Sequence, residues 1–94
     1  MADQQRLTNT LIELIKIDSP SGEEDAMDFA VSRKLGSLGL EVIHDSYKNV
    51  IAKLPGAGQP LLLSAHLDTV EPGRGIKPIV DGDILRSDGS TILG

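Results

Sequence analysis

The chain has 94 residues, a formal net charge of −5 at pH 7 and no cysteine. This length allows one small domain or a part of a larger one. The acidic balance argues against nucleic acid or an anionic membrane as a partner, because both would require clustered Lys and Arg. The lack of cysteine excludes disulfides and thiolate ligands. With no signal-like or membrane-spanning apolar run, we expect a cytoplasmic protein.

The first predicted element is an amphipathic helix. Asp3 is its expected N-cap, because a carboxylate there accepts a hydrogen bond from a free amide of the first turn. Pro20 disfavours a helical Ser19 and lacks a backbone donor, so the helix should end near "DSPSGEE". Its apolar residues recur at helical spacing and predict one buried stripe. They are Leu7, Leu11, Leu14 and Ile15.

A second helix is predicted immediately afterwards. Ser21 and Glu24 have the spacing of a capping box, in which each side chain bonds the other residue's amide. Gly39 is a suitable left-handed terminator. The apolar residues between them predict one packed face. They are Met27, Ala30, Val31, Leu35 and Leu38.

Extended segments follow from residue 40. "LEVIHDSY" and "NVIAKLP" predict a hairpin with Lys48 and Asn49 near its turn. The unbroken apolar start of "LLLSAHLD" favours a strand that is covered on both faces. The last segment carries two Asp-Gly turn signals, Asp81-Gly82 and Asp88-Gly89. Two helices followed by several strands predict an α/β unit.

One polar pair lies where the predicted buried strand gives way to a loop. In a strand that continues through Asp68, His66 and Asp68 point to the same side. Open α/β sheets bind their ligands at the carboxyl ends of such strands. An imidazole there can bind zinc, and a nearby carboxylate can orient the ring. A zinc site needs about four donors, so the pair alone favours two structural or solvated polar residues over a metal site.

The remaining polar residues favour structural roles. His44 lies on a predicted strand without a partner motif and is interpreted as a surface or packed histidine. Glu23, Glu24 and Asp25 suit the first turn of a helix, where negative charge meets the helix dipole favourably. The aspartates of the Asp-Gly segment are interpreted as solvated turn residues, and no serine lies in a nucleophile elbow.

"LLLSAHLDTVEPG" followed by "IKPIVDGDILRSDGSTILG" resembles the amino-terminal part of the di-zinc exopeptidases, most closely their peptidase T-like branch. "IDSPSGEE" is similar to the link between the first two helices of that family. The resemblance implies a three-layer α/β/α catalytic domain with a mixed, mostly parallel sheet. Residues 1–94 would be its amino-terminal portion, without the remainder of the catalytic domain and without the lid-like dimerisation domain.

The same resemblance implies the roles of two residues. His66 would be a ligand of one of the two zinc ions, and Asp68 would be the catalytic-site aspartate that holds His66 in place. The implied reaction is peptide hydrolysis by an aminopeptidase acting on short peptides, with tripeptides expected as substrates. The implied assembly is a homodimer formed through the dimerisation domain, and the 94 residues alone should be inactive.

Two alternatives remain open from the sequence. The same scaffold could serve an amidohydrolase, either a dipeptidase or an enzyme that removes an acyl group from an amino acid. The chain could also be a non-catalytic, stand-alone interaction module. No substrate-binding residue is identified.

Overall fold

The computed structural model describes residues 3–94. The mixture of helices and strands confirms the predicted α/β class. The elements in chain order are α1 (Gln4–Ile15), α2 (Asp25–Ser37), β1 (Glu41–His44), β2 (Val50–Lys53), β3 (Ile79–Asp81) and β4 (Ile84–Arg86). Neither helix in the described range is long and apolar enough to cross a bilayer.

The chain divides into two compact units. One combines Met1–Met27 with Leu67–Gly94, and the other is Asp28–His66. The buried apolar residues of the described chain all belong to the first unit. They are Ile15, Met27 and Ile76. The core is small, as expected for a chain with only one phenylalanine, one tyrosine and no tryptophan.

Helix α1 begins as predicted but buries less of its apolar stripe. Asp3 is the N-cap, and its carboxylate accepts a hydrogen bond from the Arg6 amide at 3.1 Å. The stripe is buried only at its carboxyl end, at Ile15, whereas Leu7 and Leu11 are exposed. Helical spacing predicts a shared face correctly, but burial also requires a second surface to cover that face.

Helix α2 begins at Asp25, so the capping-box prediction is wrong. Glu24 accepts a hydrogen bond from the Gly22 amide at 2.7 Å, and the Ser21 hydroxyl donates to a residue far along the chain. The helix end agrees with the prediction, because Gly39 adopts a left-handed φ of 84°. Of the predicted apolar face only Met27 is buried.

The first predicted hairpin is confirmed. Strands β1 and β2 pair antiparallel, with Glu41 opposite Lys53 and His44 opposite Val50. The Asp45 carboxylate organises the connection by accepting hydrogen bonds from the amides of Tyr47 and Asn49, both at 2.9 Å. The hydrogen bond from the Asn49 side-chain amide, together with these two backbone hydrogen bonds, lowers the pKa of Asp45.

The two Asp-Gly signals have different outcomes. Strands β3 and β4 form a tight antiparallel hairpin in which Asp81 lies opposite Ile84, so Gly82 is the first of two turn residues. Its φ of 62° is a conformation that glycine adopts without steric cost. Asp88-Gly89 is a bend that connects no strands; there the Asp88 carboxylate accepts a hydrogen bond from the Ser90 amide at 2.9 Å.

The strand predicted at "LLLSAHLD" is absent. Residues 61–68 have no strand assignment, and Leu61, Leu62 and Leu63 are 84–87% exposed. A strand requires a neighbour for its backbone donors and acceptors, and within residues 3–94 none pairs with this segment. Both sheets of the described chain are antiparallel hairpins, so the mostly parallel sheet implied for the complete domain is not among these residues.

Gly73 is expected to tolerate no side chain. A Cβ atom there would lie 2.4 Å from the Val70 carbonyl oxygen and 2.9 Å from the Thr69 methyl group. We expect Gly73→Ala to destabilise the protein by about 1–3 kcal/mol, the usual cost of overpacking. Gly36→Ala is the matched control, because its Cβ meets nothing and alanine favours the helix by about 0.5–1 kcal/mol. Urea unfolding measures the free energy of unfolding of both variants. Equal stability of Gly73→Ala and the wild type would contradict the predicted steric clash at residue 73.

Candidate active site

Two loops of the first unit meet around Asp68. We call residues 18–21 the anchor segment and residues 68–75 the site loop. The Thr69 amide donates to the Ser19 carbonyl oxygen at 2.8 Å, and the Ser21 amide donates to the Thr69 carbonyl oxygen at 3.2 Å. Pro20 lies opposite Thr69 in this parallel bridge. The bridge uses no amide of residue 20, so a proline is tolerated at its centre.

Side chains fasten the same two loops. The Gly75 amide donates to the Asp18 carboxylate at 2.8 Å. Arg74 forms ion pairs with Glu23 and with Glu71, the latter at 2.9 Å. These carboxylates raise the pKa of Arg74 further above its already high value, and Arg74 in turn lowers the pKa of Glu71. The site loop is therefore attached to the residues at and just after the anchor segment by backbone hydrogen bonds, by the Asp18 carboxylate and by the Glu23–Arg74 ion pair.

Asp68 is half-buried and has a defined partner. The Ser21 hydroxyl donates a hydrogen bond to its Oδ2 atom at 2.5 Å, although 47 positions separate the two residues in the sequence. Sequence reasoning assigned Ser21 to a helix cap and missed this bond. The similarity of "IDSPSGEE" to a family segment was the one signal that these residues do more than begin a helix.

His66 is exposed and is the last residue of the second unit. Its imidazole is a donor type that zinc accepts. Within residues 3–94, however, no group of three or more histidine or carboxylate side chains could hold a metal ion. The described residues therefore do not make a complete zinc site, which needs about four donors.

His44 has a partner that the sequence did not reveal. Its Nε2 atom lies 2.8 Å from Asp28 Oδ1 and 3.2 Å from the Ser32 hydroxyl. A catalytic Ser-His-Asp arrangement uses opposite ring nitrogens for the serine and the carboxylate, whereas both contacts here involve the same nitrogen. The histidine lowers the pKa of Asp28. This cluster fastens α2 to β1, in agreement with the structural role predicted for His44.

Three other acidic residues, Asp88, Asp81 and Glu23, have hydrogen-bond or ion-pair partners. Asp88 has a lowered pKa because it accepts hydrogen bonds from the hydroxyl and the amide of Ser90. Asp81 lies 3.7 Å from the Arg86 guanidinium across the β3–β4 hairpin. Glu23, which was expected to favour the start of α2, instead pairs with Arg74.

Comparison with solved structures places this fold in a class. No family model matches the chain. A tripeptidase from Staphylococcus aureus superposes on all of it with a TM-score of 0.92 and 38% identity. Aminopeptidase PepT from Bacillus cereus covers 98% of the chain with a TM-score of 0.87 and 35% identity. The chain spans 28% of each of these proteins. The fold is thus that of a part of a peptidase T-like exopeptidase.

The curated relatives include one protein without an assigned function and one provisionally assigned hydrolase. An uncharacterised Bacillus subtilis protein, YqjE, is 35% identical over the whole chain, which spans 28% of that relative. A Pyrococcus abyssi protein, provisionally assigned as a LysW-lysine/LysW-ornithine hydrolase, is 40% identical over 85% of the chain and matches 23% of its own length. The resemblance to the amino-terminal part of the peptidase T-like branch, predicted from the sequence, is confirmed.

Proposed function

We propose that this chain is the amino-terminal part of a two-zinc exopeptidase, an aminopeptidase that hydrolyses short peptides and prefers tripeptides. The observation that carries the proposal is the similarity to the S. aureus tripeptidase over the full chain, at 38% identity and a TM-score of 0.92. Because the chain spans only 28% of that protein, the activity is assigned to the complete polypeptide and not to these 94 residues alone.

The proposal gives His66 and Asp68 the roles implied by the family resemblance. His66 contributes one ligand to a zinc centre whose other ligands come from outside these residues. Asp68 orients that histidine and keeps it basic enough to ligate, as carboxylates do for many metal-bound imidazoles. Zinc in such a centre supplies an activated water and a polarised carbonyl. The firm attachment of Asp68 to the anchor segment supports a role that depends on position.

The proposal also includes the localisation and the oligomeric state of the enzyme. We propose a cytoplasmic homodimer, formed through a dimerisation domain outside the 94 residues. Its substrate is a short peptide.

A second candidate function is favoured by the archaeal relatives. The Pyrococcus abyssi protein is provisionally assigned to hydrolysis of LysW-linked lysine or ornithine. The same scaffold in this protein would then cleave an amide between an amino acid and a larger acyl group. A dipeptidase or an N-acyl-amino-acid deacylase belongs to the same alternative. Each would hydrolyse an amide bond with the same scaffold, and they would differ in the group that is joined to the amino acid.

A substrate panel separates these functions. The full-length protein that carries this chain should be assayed with zinc on unblocked tripeptides, dipeptides and N-acylated amino acids. We expect the highest kcat/KM for tripeptides with a free amino terminus. A preference for N-acylated amino acids would support the amidohydrolase instead. Absence of hydrolysis across the panel would leave the non-catalytic interaction module as the better account.

A further inference from the structure

We propose that Ser21 is a positioning residue for Asp68, and this inference rests on the proposed hydrolytic function. Its hydroxyl donates to Asp68 Oδ2 at 2.5 Å. A hydrogen bond from a hydroxyl to a carboxylate is stronger than one between neutral groups. It fixes one of the two carboxylate oxygens and so limits rotation of the Asp68 side chain.

The backbone of Ser21 is held by the same stretch of chain. Its amide donates to the carbonyl oxygen of Thr69, and the Thr69 amide donates to Ser19. Ser21 thus binds the residue pair Asp68-Thr69 twice, once through its backbone and once through its hydroxyl. Two attachments to consecutive residues define the position of the carboxylate better than either alone.

Helix capping does not explain the hydroxyl. An N-cap serine accepts a hydrogen bond from an amide two or three residues later. Helix α2 begins four residues after Ser21. The Gly22 amide donates its hydrogen bond to the Glu24 carboxylate. In the structure the hydroxyl of Ser21 is a donor to Asp68. The bond therefore belongs to the loop that carries the candidate site.

Removal of this bond should affect turnover more than substrate binding. We expect Ser21→Ala in the full-length enzyme to lower kcat about 10-fold, the lower end of the range for residues that orient metal-site groups. KM should change less than about 2-fold, and zinc content should stay at the wild-type level. Ser21→Thr keeps the hydroxyl and should restore most of the turnover. Ser46→Ala, in the exposed connection between β1 and β2, is the matched control.

Two kinetic results would overturn the inference. One is wild-type kcat in Ser21→Ala, and the other is an equal loss in Ser21→Ala and Ser21→Thr, since the hydroxyl would then not be the cause. Crystal structures of the full-length wild type and Ser21→Ala give a readout without catalysis: Asp68 should lose its single orientation in the variant. An unchanged Asp68 there would also overturn the inference. A wild type without hydrolytic activity would refute the proposed function, and the crystal structures would then decide the role of Ser21.

Discussion

Asp68→Asn in the full-length enzyme is expected to lower kcat for tripeptide hydrolysis by about 10- to 100-fold, the range observed when carboxylates that orient metal-ligating histidines are removed. Asparagine keeps the size of the side chain, and its carbonyl oxygen can still accept the Ser21 hydrogen bond. The position of the side chain should therefore survive while its negative charge is lost. Steady-state kinetics and urea unfolding together separate a catalytic loss from a loss of folding.

Asp83→Asn is the matched control for this variant. Asp83 is an exposed residue of the β3–β4 turn and has no role in the proposed site. The Asp83→Asn variant loses the same negative charge within the same unit, so its kcat should equal that of the wild type. Asp68→Ala removes the carboxylate and its hydrogen bond and should be at least as inactive as Asp68→Asn, with the fold intact. Wild-type turnover in Asp68→Asn would refute the role of the charge.

His66→Ala is expected to remove one zinc site from the full-length protein and to abolish hydrolysis. The imidazole is the only metal ligand proposed within this chain. Among the described residues, no group of three or more histidine or carboxylate side chains could bind the metal in its place. Zinc per polypeptide, measured by elemental analysis after equilibration with zinc and removal of the excess, should fall by about one equivalent from the two proposed. The fold should remain, because His66 is exposed.

The chain's second histidine provides the control. His44 lies on β1 and bonds Asp28 and Ser32, outside the candidate site. His44→Ala should keep the wild-type zinc content even where it weakens the attachment of α2 to β1. Full zinc content in His66→Ala would contradict the proposed ligand. An equal zinc loss in both variants would contradict it as well, because the loss would not be specific to His66.

The sequence predicted the features that depend on neighbouring residues. Asp3 caps α1 because its carboxylate meets an amide three residues later. Gly39 ends α2 because glycine adopts a left-handed φ without steric cost. Gly82 allows the tight β3–β4 turn for the same reason. Such signals lie within a few residues of the structure they determine, so one sequence contains enough information to predict them.

The features that were missed depend on distant or additional partners. Ser21 and Glu24 match a capping box by spacing. In the structure, however, the serine hydroxyl donates its hydrogen bond to Asp68, 47 residues away. The leucines at 61–63 have the pattern of a buried strand, yet a strand forms only when another strand accepts its backbone bonds. For the candidate site, the family resemblance predicts His66 and Asp68, whereas the hydrogen bonds that hold Asp68 are visible only in the fold.

The metal dependence of tripeptide hydrolysis tests the central claim most directly. The full-length protein should be freed of metal with a chelator, assayed on an unblocked tripeptide, and assayed again after stepwise addition of zinc. The account predicts that hydrolysis is lost on chelation and returns as zinc approaches two equivalents per polypeptide. Hydrolysis that persists at the full rate in the metal-free protein, or that zinc fails to restore to a protein that remains folded, would contradict it.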